Sequence, residues 1–246
     1  MRLLRAPSRT VPTTRWSATS RWRARPPTLI ALLVGLWLFG TGEALLVDAR
    51  LGVTPWTVLA EGLSARLPIS IGEATFATSV AVLLVWIPLR ERPGLGTVAN
   101  AVVIAISLQV MSDLLPEPSA LVPRALMVTG GIALIGLASG LYLTANLGPG
   151  PRDGAMTGIH RRTGWPVSAV RLAIEASVLV VGWLLGGTVG VGTVAFALLI
   201  GPAVGTACCC AVGSAAARPG TRPTRTRSWR RDLRAAPGAG AVRRVA

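Results

Sequence analysis

The sequence predicts an all-α polytopic membrane protein of about six transmembrane helices, arranged as two inverted three-helix repeats. Three observations carry this expectation. Apolar residues make up 51% of the chain and charged residues 14%, where a soluble domain shows about a quarter charged. The apolar residues gather in runs of roughly 19–21, the length that crosses a bilayer core. The chain also matches itself when slid by 96 residues.

Residues 1–27 form an Arg-rich tail that lacks the apolar content of a core and is expected to be disordered. The first apolar run, LIALLVGLWLFGTGEALLV at 29–47, follows it. No small-residue cleavage site is evident after this run, so it reads as a retained span and not a removed signal peptide. Further runs cover 71–89, 95–115, 125–144, 167–185 and 191–212. They group into a first repeat over 28–118 and a second over 124–213, with a second Arg-rich, disordered tail at 214–246.

All 25 basic residues are Arg. With the N-terminus inside, 21 Arg fall on the cytoplasmic side and three, Arg50, Arg66 and Arg124, on the outer side, while Arg171 starts the fifth span on the cytoplasmic side. The positive-inside rule then places both termini in the cytoplasm of an inner membrane. The Arg tails beside apolar spans suit anionic lipid as partner. No aromatic platform accompanies the charge, so nucleic acid is not an expected partner.

Residues 35–105 and 131–201 align without a gap at the 96-residue offset, and 22 of 71 positions are identical. Glycines coincide at 35/131, 40/136, 52/148 and 62/158, and GLGTVANA at 94–101 meets GVGTVAFA at 190–197. Shared apolar composition alone does not align glycines and prolines so often. Each repeat carries three spans, and an odd number makes the second copy enter from the opposite side.

The breaker LGPGPRDG at 147–154 pairs with LGVTPW at 51–56. Pro55 and Pro151 suit the first turn of a helix, Thr54 can cap one, and Asp153 favours the first turn of the other. A helix over 55–66 would be about 18 Å long, too short for a core of about 30 Å. It is a surface connector, an interfacial helix or a re-entrant half-helix. In the last case free amides at the half-helix start face a solute near the midplane. Candidate solute-binding residues are then Thr54, Trp56, Gly148, Gly150, Arg152 and Asp153. Arg152 is suited to an anion, unless Asp153 simply neutralises it.

Carboxylates inside spans are costly and mark function by default. Glu43 and Glu175 are the candidates for ion or proton coupling. Glu175 has a plain alternative, since Arg171 lies four residues earlier on the same helix face. Asp48, Glu73 and Asp113 lie near span ends, where water reaches them, and His160 sits in a basic loop. Gly136-x-x-x-Gly140 suggests close helix packing, and Gly201–Pro202 a kink in the last run. Cys208–Cys210 are consecutive and cannot share one metal. They read as packing residues. Neither a metal nor a cofactor is expected, and the absence of a nucleophile or phosphate-loop motif argues against an enzyme.

The segments LGVTPW, GPGPRDGAMTG, RRTGWPV, VRLAIE and GWLLGGTVGVGT, spread over about residues 28–206, resemble the YczE/YitT-like bacterial integral membrane proteins. The resemblance implies a bacterial cell-membrane location and a small multi-span fold. It carries no agreed activity and transfers no site residue. The function expected from architecture is a small-solute transporter. The alternative is a non-transporting membrane regulator or anchor acting through a partner.

Overall fold

The computed structural model describes residues 17, 18, 20–116 and 118–216, with side chains described up to 207. Among these residues all regular structure is helical: α1 (Pro26–Ala49), α2 (Pro55–Arg66), α3 (Ile71–Leu89), α4 (Leu95–Leu114), α5 (Leu121–Thr144), α6 (Pro151–Thr163), α7 (Val167–Leu185) and α8 (Val191–Ala216). Five of them, α1, α3, α4, α5 and α7, are long and apolar enough to cross a membrane. The described apolar stretch of α8 is Val191–Ala207. The chain divides into units 1–216 and 217–246, and the second lies outside the described residues, as do the side chains of Cys208–Cys210.

Local chemistry sets the helix limits. Proline occupies the first turn of α1, α2 and α6, where its missing N–H costs nothing. Ser70 and Glu73 form a reciprocal capping box at α3. Left-handed residues end α1 at Arg50, α3 at Arg90, α6 at Gly164 and α7 at Gly186. Large apolar side chains such as Ile87, Leu172, Trp183 and Leu198 point outward and stand more than 60% exposed. Such a surface is one for lipid, not water.

At the centre α1 and α5 pack against each other through glycine. A Cβ on Gly35 would lie 3.2 Å from the Ala138 carbonyl, and one on Gly42 would lie 2.9 Å from that of Gly131. Moving up seven residues on α1 moves down seven on α5, so the pair is antiparallel. Each central helix carries an outer one through a second glycine, Gly40 against Ser107 and Ile104 of α4 and Gly136 against Ala203 of α8. The short helices cross over: α2 packs on α7, where Gly62 meets Gly182, and α6 on α3, where Gly154 leaves room for the Trp86 ring.

The breakers are held the same way. Gly52 (φ +110°) and Gly148 (φ +119°) take left-handed conformations that a side chain disfavours. The Gly96 N–H of α4 donates to the Leu147 carbonyl at 2.9 Å, and the Gly192 N–H of α8 donates to that of Leu51 at 2.8 Å. Each breaker is thus latched by the glycine-rich start of a helix from the opposite half of the chain.

One boundary differs from the sequence reading. Part of the stretch read as a tail is docked: Ala18 is buried against Leu32, Leu36 and Leu147, while Arg21, Trp22 and Arg23 stay exposed. The Ala18 N–H donates to Ala145 at 2.9 Å, its carbonyl accepts from Asn146 at 3.0 Å, and the Leu95 N–H donates to Arg21. Arg density hid the small residue that fits here.

Candidate functional site

A cavity of about 170 Å³ lies where the starts of α2 and α6 converge beside the two central helices. It is well above the room one water needs and below a drug-sized pocket. The first turns of both short helices reach it, through Thr54 and Trp56 from α2 and Gly150, Arg152 and Asp153 from α6. Both helices start there because proline and the preceding breaker forbid an earlier start.

Position is set by the 96-residue correspondence. Five pairs of equivalent residues line the cavity, among them Phe39/Ile135, Asn100/Phe196 and Ile104/Ile200. A fourth pair, Trp56/Arg152, is in direct contact: the Arg152 guanidinium sits 5.0 Å over the indole. That stack is worth about 0.5–2 kcal/mol, depending on how dry it is.

The charges divide unevenly. Glu43 of α1 is fully buried behind the cavity wall. It accepts from the Thr57 hydroxyl at 3.1 Å and from Arg152 at 3.5 Å. Thr57 in turn lies 2.8 Å from the capping hydroxyl of Thr54, so one hydrogen-bonded chain joins the α2 start to Glu43. Asp153 accepts from the Tyr142 hydroxyl at 3.3 Å. Arg171 and Glu175 of α7 pair across one turn at 2.8 Å and also line the cavity. The second half therefore supplies Arg152, Asp153, Arg171 and Glu175, where the first has Trp56, Thr57, Thr75 and Ser79 at the matching positions.

Of the candidates named from sequence, Thr54, Trp56, Gly150, Arg152, Asp153 and Glu175 all line this cavity. Gly148 does not. Its left-handed backbone packs on Gly94 and Thr97 of α4, so it shapes the breaker and does not face a solute. The partner of Arg152 is Glu43, not the neighbouring Asp153. Sequence reasoning did not single out Tyr142, Asn100 or Arg171 as solute contacts. Asn100 had a signal: it is where GLGTVANA departs from GVGTVAFA, with Phe196 opposite. Gln109 and Asp113 hydrogen-bond each other away from the cavity, and His160 lies not in a loop but in the last turn of α6, where it meets the Trp165 carbonyl. Among the described residues no group of three or more His, Cys, Asp or Glu is arranged to hold a metal.

An uncharacterized protein of Haemophilus influenzae is 46% identical over 196 residues, covering 80% of this chain and 90% of that one. The uncharacterized membrane protein YczE of Bacillus subtilis is 31% identical over 171 residues, 68% and 79% of the two chains. The uncharacterized protein YyaS of the same organism is 24% identical over 164 residues, 65% and 82%. No solved structure matches. The apolar helices and the kinship with YczE make this a membrane protein. A family model matches residues 27–208, from the first helix into the last, and the chain belongs to that family of unknown function, DUF6198.

Proposed function

We propose that the chain is a small-solute transporter of the bacterial inner membrane. In this reading α8 is a sixth span, both termini are cytoplasmic, and the halves are inverted repeats about an axis in the membrane plane. The observation that carries it is the convergence of two half-helix starts on one cavity lined by repeat-equivalent residues. Phe39 and Ile135 both lie within about 4 Å of the middle of their helices at 1.5 Å per residue, which supports a site near the midplane. Antiparallel packing of α1 on α5 supports the inversion. Paired half-helices around a central site suit alternating access, in which one half rocks on the other.

The Arg clusters beside the spans fit contact with anionic lipid on the cytoplasmic face. Reporter fusions should place 67–70 outside and 90–94 and 164–166 inside. In a background without native cysteine, Cys at 54 and 150 should be labelled from both sides of the membrane as the cavity opens alternately. Labelling of each from its own side only would remove the shared site. Uptake by proteoliposomes across a solute panel should be changed in Arg152→Ala. Flux with unaltered affinity and rate in that variant would remove Arg152 from the site, and absence of any flux in the unaltered protein would favour a regulator or anchor.

A further inference from the structure

We infer that the cavity takes a small monovalent organic cation, of guanidinium or quaternary-ammonium type, in exchange for one proton. The inference rests on the transport reading above and names the solute class of that same site. Its starting point is the seat of Arg152. A guanidinium lies 5.0 Å over the Trp56 ring and 3.5 Å from the fully buried Glu43 carboxylate. An aromatic face with a buried carboxylate beside it is what recognises an organic cation. Here the protein's own side chain fills that place, so Arg152 acts as a tethered occupant that a free cation can displace.

The charge inventory agrees. Glu43, Asp153 and Glu175 face two cations, Arg152 and Arg171. Arg152 pairs with Glu43 and Arg171 with Glu175, while Asp153 makes no ion pair among the described residues and is held by the Tyr142 hydroxyl. One negative charge is thus left beside a cavity inside a membrane protein, where uncompensated charge is costly. A single proton or a single organic cation restores neutrality, and the two exclude each other. The groups facing Asp153 are Tyr142 from α5, Arg152 from its own helix, and Arg171 and Glu175 from α7. Asn100 of α4 and Trp86 of α3 supply no titrating charge.

The helix starts do not reverse this. Thr54 caps α2 with its hydroxyl, and Asp153 itself lies in the first turn of α6. The α2 start is therefore served by a hydroxyl, while α6, which has no side-chain cap, meets the Asp153 charge in its first turn. The exchange is balanced: the entering cation displaces the Asp153 proton into the compartment it comes from, a proton replaces the cation on the other side, and no net charge crosses.

Calorimetric titration of the full-length, detergent-purified protein with methylguanidinium chloride tests this, with sodium methanesulfonate as the anion probe. Methylguanidinium should bind, and its affinity should fall as the pH is lowered, by up to about tenfold per unit for one displaced proton. Asp153→Asn should bind weakly and without pH dependence. Arg152→Ala should bind about tenfold more tightly, because the tethered competitor is gone. Proteoliposomes loaded with methylguanidinium and diluted into cation-free buffer should acidify inside, and Asp153→Asn should abolish this. Binding and flux of methanesulfonate, lost in Arg152→Ala, would overturn the cation assignment and leave the transport reading standing. Failure of methylguanidinium to bind overturns the inference. If no solute of the panel moves either, the transport reading falls with it.

Discussion

The Arg152–Glu43 pair is unequal in burial, and that inequality decides what each substitution costs. The Glu43 side chain is wholly inaccessible, whereas 26% of the Arg152 side chain is exposed at the cavity. Removing one partner of a buried pair typically costs about 3–5 kcal/mol, because the other charge is stranded. Arg152→Gln strands the carboxylate in the interior with only Thr57 to serve it. Glu43→Gln strands a guanidinium that still reaches cavity water and the Trp56 ring. Arg152→Gln should therefore lower the thermal midpoint of the detergent-purified protein more than Glu43→Gln, by the equivalent of about 1–2 kcal/mol. Equal losses would mean that the pair is hydrated on both sides.

At the scale of elements, the two short helices begin alike but are secured differently. Thr54 accepts from the Thr57 N–H at the start of α2, while Gly150 gives α6 no side-chain cap. Thr54→Ala should cost about 1 kcal/mol in thermal unfolding for the lost cap, and more if Glu43 loses its ordered chain through Thr57. Gly150→Ala should cost less, since the one tight neighbour of a Cβ there, an Asp153 carboxylate oxygen at 3.3 Å, belongs to a side chain that can give by a few tenths of an ångström. The reverse order would show that the α6 start, not the α2 start, is under strain. These limits were legible in the sequence because they are local: proline in the first turn, a hydroxyl three residues before an amide, Arg171 one turn from Glu175. The Glu43–Arg152 pair was not, since it joins positions 109 residues apart and depends on how α1 meets α6. The docking of Ala18 was missed for a related reason. It rests on backbone groups and one small side chain, to which composition is blind.

At the scale of the whole molecule, the described residues form two sets of four helices that begin 95 or 96 residues apart, a spacing that the self-match at 96 carries in the sequence. What the self-match could not show is that each half holds the other's breaker. GLGT at 94–97 and GVGT at 190–193 read as shared helix starts, yet they are the receivers of Leu147 and Leu51. The two latches differ in one bond. The Thr97 hydroxyl accepts from the Gly94 N–H at 3.1 Å and donates to the Pro149 carbonyl at 2.7 Å, so it joins the halves. Its counterpart Thr193 accepts from the Gly190 N–H at 3.3 Å, within its own half. A typical hydrogen bond nets about 1 kcal/mol, and a buried group left unpaired costs about 1–3 kcal/mol. Valine keeps the shape of threonine and loses the hydroxyl, so Thr97→Val should cost about 2 kcal/mol and Thr193→Val about 1 kcal/mol. Thermal unfolding of the two variants in one detergent reads this difference directly. A larger loss for Thr193→Val would mean that the second breaker, next to Arg152 and Asp153, is not held by Thr97. The cavity wall at Gly150 would then be freer to move than the wall at Thr54.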